Sequence, residues 1–181
     1  KKPLIFTNND SGYETAIEFK KNGINPVILD TRKDPISEIV NEAKSLNIDI
    51  KFSYVVVAAK GYKKVNSANI AKISDDKKQL SQIENINCDC ICVSGFWTPT
   101  IHLASQSGNK TKFNEDIDAF IPGQSKQNET VLGSAKGIFT LEETLTSSFE
   151  KGFELSKELT NKDNKISIPA VVEKKSSKHD K

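Results

Sequence analysis

The chain has 181 residues, 26 basic and 24 acidic side chains, a formal charge of +2 and 36% hydrophobic residues. That is chain enough for one sizeable domain with its own core, and the interspersed, nearly balanced charges give no reason to expect nucleic acid or an anionic membrane as partner. No run of about 18 apolar residues is present to cross a bilayer, and the opening residues run straight into a strand without a signal-peptide apolar core. A cytoplasmic setting is expected. Methionine is missing everywhere, position 1 included, so the sequence reads as a fragment of a longer polypeptide.

Residues 4–32 (LIFTNNDSGYETAIEFKKNGINPVILDTR) organise the rest of the chain. The apolar run Leu4, Ile5 and Phe6 predicts a strand, residues 7–11 a polar turn, and Tyr13, Ala16, Ile17 and Phe19 a helix. Gly23 is expected to stop that helix as a left-handed cap, and Pro26, Val27, Ile28 and Leu29 to start a second buried strand ending on Asp30. This is half of a dinucleotide-binding βαβ unit. Its fingerprint is incomplete, because Thr7, Asn9 and Gly12 stand at the three glycine places of G-x-G-x-x-G and only the third is glycine. The missing second glycine is the one that lets backbone approach a pyrophosphate. Asn tolerates left-handed backbone, so Asn9 could keep the turn while its side chain takes the phosphate's space. The Asp10 carboxylate is expected to cap the helix itself. A carboxylate about 4 Å from a phosphate costs on the order of 1 to 4 kcal/mol at effective dielectrics of 80 to 20, against a helix-terminus attraction of about 0.3 to 1 kcal/mol. Asp30 stands where a ribose ligand would; with Arg32 it could equally be a solvated pair at a strand end.

Pro35 is expected to open a second helix with Ile36, Ile39, Val40, Ala43 and Leu46 on one face, followed by a strand alternating Ile48, Ile50 and Phe52. The order β-α-β-α-β fits a parallel sheet. From Tyr54 the texture becomes that of a three-stranded antiparallel meander with lysine-rich turns on a solvated edge. The fold class is thus α/β and Rossmann-like, with a parallel sheet and an antiparallel β-meander. The next strand, residues 88–95, carries Cys88, Cys90 and Cys92 at alternate positions, hence on one face and about 6.5 to 7 Å apart. Sulfurs on one zinc lie only about 4 Å apart, so no metal ligand is expected among them, and the spacing disfavours disulfides. They read as free, buried, packing thiols of a reducing compartment.

Beyond Gly95 come Phe96 and Trp97, a short helix over residues 101–106, strands at 110–113 and 118–123, and the small-residue turn 133–137 before an amphipathic segment, 139–159. The expected buried face of that segment is Leu141, Thr144, Leu145, Phe149, Phe153 and Leu155. A small-residue turn ahead of a helix is a place where an anion could meet the helix N-terminus. Residues 161–181 turn polar and read as linker or disordered tail. The two histidines, His102 in the short helix and His179 in the tail, have no nucleophile or acid at usable spacing. His102 is expected to pack on a helix face, and no catalytic residue is assigned.

Residues 4–13 (LIFTNNDSGY), 93–108 (VSGFWTPTIHLASQSG), 118–123 (DAFIPG) and 133–141 (GSAKGIFTL) together resemble the alpha subunit of heterotetrameric sarcosine oxidase, a likeness that covers the chain to about residue 158. The resemblance implies kinship with two-dinucleotide-domain flavin reductases. Residues 1–87 would be the inserted nucleotide-binding subdomain with its meander, and residues 88–160 the closing half of the larger FAD/NAD-binding subdomain. It also implies an oxidase that demethylates sarcosine or a related secondary amine to glycine, with peroxide formed. In that family FAD in the beta subunit does the amine chemistry, FMN lies at the alpha-beta interface, and the alpha subunit holds NAD. Beta, gamma and delta subunits would be the partners, and this chain would support assembly and dinucleotide binding rather than amine oxidation. NAD would sit on a fingerprint upstream, closed over by Gly95, Trp97, Gly133, Ser134, Ala135 and Gly137. The rival placement uses Asn9, Ser11, Gly12 and Asp30. Gly133-Ser134 offers no carboxylate where flavin disulfide reductases bind the ribityl chain, and no C-x-x-C pair is present. An NAD(P)H-dependent flavin oxidoreductase domain and a degenerate Rossmann module kept for assembly stay open beside this.

Overall fold

The computed structural model describes residues 1–160 together with 167, 168, 170 and 171. His179 and most of the expected tail, 161–181, lie outside the described residues. The chain divides into two compact units, Lys1–Phe96 and a second beginning at Trp97.

In the first unit, β1 (Pro3–Thr7), α1 (Ser11–Lys21), β2 (Val27–Asp30), α2 (Glu38–Ser45) and β3 (Asp49–Phe52) alternate as expected. The meander strands β4 (Tyr54–Gly61), β5 (Val65–Lys72) and β6 (Glu84–Asn87) come next, then β7 (Cys90–Ser94). β7 pairs with β1, so the parallel sheet has the order β3-β2-β1-β7 and the meander β4-β5-β6. The strand expected to begin a second segment at residue 88 therefore closes the first sheet.

The sheet is covered on both faces, which is why its strands read as continuous apolar runs. Ile5 and Ile28 pack with Tyr13, Ala16, Ile17, Ile39, Val40 and Ala43 of the helices. Their neighbours Leu4 and Leu29 turn the other way onto Ala68, Ile70 and Cys88. Each such fully buried aliphatic side chain contributes about 1.5–3 kcal/mol relative to exposure. α1 stops as the sequence implied: Gly23 is left-handed at φ +75, and the Gly23 and Ile24 amides donate to Lys20 and Phe19 carbonyls at 3.0 and 2.9 Å, a Schellman closure.

Three local expectations are corrected. α2 starts at Glu38 rather than at Pro35, because Ser37 is extended and its hydroxyl accepts from the Val40 amide, a cap proline cannot supply; Ile36 is left 80% exposed ahead of the helix. The three cysteines do not share a face. Cys88 precedes β7, its amide donating to Asn66 O, and packs under the meander, whereas Cys92 packs on the helix side and Cys90 is exposed. The break in pleat at Asp89, whose amide donates to Lys2 O, resets the alternation. The sulfurs of Cys90 and Cys92 are 3.8 Å apart, far closer than a regular strand suggests.

The second unit holds α3 (His102–Gln106), the hairpin β8 (Thr111–Asn114) with β9 (Ala119–Pro122), a 3-10 turn Gly133–Lys136 and α4 (Leu141–Thr160). α4 begins two residues later than expected, where Thr140 and Glu143 form a reciprocal cap: the Glu143 amide donates to Thr140 Oγ1 and that hydroxyl donates to Glu143 Oε2. Its expected buried face is not buried. Among its described residues none is buried; Thr144, Leu145, Phe149 and Phe153 are half-buried, and Leu141 and Leu155 are exposed. His102 is also exposed rather than packed. A hairpin and one 3-10 turn offer too little apolar surface to cover a five-turn helix within this unit.

Candidate functional site

The β1–α1 turn is filled by its own side chains. Thr7 Oγ1 donates to Asn9 O at 2.8 Å and accepts from the Asn9 amide. Asn9 is 1% exposed, and its Oδ1 accepts from the Ser11 amide at 2.9 Å and from Ser11 Oγ at 2.6 Å. Its Nδ2 donates to Gly95 O at 2.5 Å, and Ser94 Oγ contacts both Asn9 Oδ1 and Ser11 Oγ. One amide side chain thus ties the start of α1 to the end of β7. Asn9 is not among the residues with positive φ, so it keeps the turn through these hydrogen bonds rather than through left-handed backbone. Gly12 is required by Thr7: a Cβ there would meet Thr7 Cβ at 2.6 Å and Oγ1 at 2.7 Å.

Beneath the turn lies a buried charge cluster that the sequence did not reveal. Asp30 is 0% and Arg32 3% exposed, so they are neither a solvated pair nor a free ribose ligand. Arg32 Nη2 and Nε reach the Asp30 carboxylate at 2.9 to 3.2 Å, its amide donates to Asp30 Oδ1, and its Nη1 donates to Asp10 Oδ1 at 2.9 Å. Tyr13 Oη completes the cluster, donating to Asp30 Oδ2 at 2.6 Å, and its ring lies 5.8 Å from the guanidinium carbon. Asp10 therefore makes no side-chain cap to α1; a buried cation is a stronger partner than backbone amides. Burial alone lowers the Arg32 pKa, but Asp30 and Asp10 outweigh it and the net direction is up. Burial first, then the bond to Asp30, pushes the Tyr13 phenol well above its ordinary value.

These contacts change what the turn can hold. Asp10 is paired, so its repulsion of a phosphate is weaker than expected. The Asn9 side chain, buried and bonded to Ser11, fills the place of the second glycine, the one that lets backbone approach a pyrophosphate. Of the rival contacts, Asn9, Ser11 and Gly12 stand together here, while Asp30 has both oxygens engaged. Gly95 is drawn to this turn through its carbonyl rather than left open. Trp97 lies in the second unit and is 58% exposed. There Gly133 (φ +60) and Gly137 (φ +90) bound the 3-10 turn carrying Ser134 and Ala135. A Cβ on Gly137 would lie 2.7 Å from Ile117 Cδ1. The residues missed were Tyr13, taken for simple core, and Ser94; an Asp-x-Arg at a strand end with a tyrosine on the adjoining helix is the signal that could have found the cluster.

Comparison with known structures gives the fold. The fold is that of FAD/NAD(P)-binding oxidoreductases. Thioredoxin reductase of Lactococcus lactis superposes with a TM-score of 0.62 at 14% identity, over 88% of this chain and 52% of that one. The HOCl-induced flavoprotein disulfide reductase of Escherichia coli gives 0.61 at 15%, over 90% and 36%. No protein-family model matches. In sequence, the chain is similar to sarcosine oxidase alpha subunits, as its motifs implied: 24% identical over 151 residues to that of Corynebacterium sp. (strain P-1), and 30% over 135 residues to that of Rhizobium meliloti (strain 1021). These matches take in 82% and 74% of this chain but 15% and 12% of the relatives, so the chain spans under a sixth of their length.

Proposed function

We propose that the chain is a piece of a sarcosine-oxidase-alpha-like flavoprotein oxidoreductase and that its first unit is a structural Rossmann module, not a working dinucleotide site. The similarity in sequence supports the first part, and the observation that carries the second is the Asn9 side chain, buried in the turn and bonded at both ends. On this reading the parent oxidises sarcosine or a related secondary amine with peroxide as product, in a cytoplasmic assembly with beta, gamma and delta subunits; three free thiols suit such a compartment. FAD in a partner subunit does the amine chemistry, FMN lies at the subunit interface, and NAD is held by the larger subdomain with Trp97 and the turn of Gly133, Ser134, Ala135 and Gly137 contributing. The division of the chain into two units supports placing the inserted subdomain at residues 1–96, with the second unit belonging to the larger subdomain.

The isolated chain is expected to make no peroxide from sarcosine above a buffer blank, with or without added flavin. The parent polypeptide with its partner subunits is expected to consume oxygen when given sarcosine. Turnover by the isolated chain would overturn the non-catalytic role; a parent that oxidises NAD(P)H but no N-methyl amine would favour the flavin reductase alternative.

A further inference from the structure

Cys90 and Cys92 take no part in the site above, and their geometry is that of a ligand pair. They stand two residues apart on β7, at the outer edge of the parallel sheet. Cys90 is exposed, Cys92 half-buried, and neither is in a disulfide. Their sulfurs are 3.8 Å apart. With metal–thiolate bonds of about 2.3 Å, two sulfurs on one cation lie about 3.8 Å apart at a near-tetrahedral angle and about 4.6 Å apart in a linear arrangement, so the thiol–thiol hydrogen-bond contact of these two side chains has to open by up to about 0.8 Å to seat a two-coordinate cation. A disulfide demands far more: an S–S bond of about 2.05 Å and Cβ atoms about 3.5–4.5 Å apart, against the roughly 6.5 to 7 Å that separates alternate positions of a strand.

From this spacing we propose that Cys90 and Cys92 form a two-thiolate site for a soft, thiophilic monovalent cation of the Cu(I) class. Thiolates select such cations over harder ones. Among the described residues no group of three or more His, Cys, Asp and Glu converges to hold a metal, so the pair suits a cation content with two ligands and not a tetrahedral zinc centre. Binding displaces both thiol protons and leaves a complex of charge −1. Charge at the site favours that product: Cys90 opens on a hollow of about 430 Å³ that Lys1 and Lys64 also line, with Asp89 the one acid among its lining residues. The hollow is also the route by which a cation carried by a small chelator reaches the exposed sulfur.

The test is an anaerobic titration of the reduced chain with Cu(I) buffered by bicinchoninate, read from loss of the chelate colour. One Cu(I) per chain is expected. Cys90→Ser and Cys92→Ser should each weaken binding by more than about 100-fold, beyond the 10–100-fold that loss of an outer hydrogen-bond partner costs, while Cys88→Ser stays within about threefold of the native chain. Cys90 is exposed, so Cys90→Ser keeps the fold, checked by circular dichroism, even if Cys92→Ser does not. Failure of the native chain to withdraw Cu(I) from the chelator, equal weakening by Cys88→Ser, or one cation per two chains would each overturn the proposal.

Discussion

Two turns in this chain precede a helix and carry small or polar residues, yet they are built in opposite ways. At residues 7–11 the turn is closed by buried side chains, with Asn9 bonded to Ser11 and Gly95 above an ion cluster of Asp10, Arg32, Asp30 and Tyr13. At residues 133–137 the turn is shaped by backbone, with left-handed Gly133 opening four residues of 3-10 helix and left-handed Gly137 following them, and with Ser134 and Lys136 exposed. A glycine pattern marks where the chain can turn; the groups that fill the turn decide whether a ligand can enter it.

The largest effect should come from Arg32→Met. It strands two buried carboxylates, and breaking such an arrangement by removing one partner costs about 3–5 kcal/mol. Urea unfolding is expected to show that loss, and a change under about 1 kcal/mol would mean that the cluster is hydrated rather than buried.

Tyr13→Phe removes one hydrogen bond to a charged acceptor, worth about 1.5–3 kcal/mol. It also has a pH signature. The folded phenol's pKa is raised by burial and by Asp30, so its contribution is complete below the ordinary value of about 10. Above that pH the unfolded chain releases the proton while the folded one keeps it, and stability falls by up to about 1.4 kcal/mol per pH unit. In Tyr13→Phe the fall in stability between pH 10 and 11 should be smaller by about 1 kcal/mol; an unchanged slope would place the phenol in solvent.

At the second turn Gly137→Ala should cost about 1–3 kcal/mol through overpacking, because its Cβ would meet Ile117 at a φ of +90. Amide exchange in the 133–137 segment is expected to rise with it. If alanine is accepted without loss, that turn is not held by its backbone.

Much of the fold was legible because its determinants are local. Leu4-Ile5 and Ile28-Leu29 face opposite ways in a sheet covered on both sides, and such strands read as unbroken apolar runs; Gly23 announces the end of α1. The features that escaped depend on partners far along the chain. Ser94 reaches Ser11 across 83 positions and Arg32 reaches Asp10 across 22, so the missing second glycine was visible while the structure replacing it was not. Cys88 left the face of Cys92 because Asp89 pairs with Lys2, and Ile36 stayed outside α2 because Ser37 caps it. The amphipathic pattern of α4 was real, but its own unit supplies too little surface to bury it fully.

Closure of the β1–α1 turn to dinucleotides by Asn9 is central to the function proposed for the first unit. Calorimetric titration of the chain with NAD, with amide shifts followed by NMR, tests it most directly. Little or no heat is expected at submillimolar NAD, and no shifts at the Asn9 and Ser11 amides. Sub-millimolar binding that moves those two amides would contradict it.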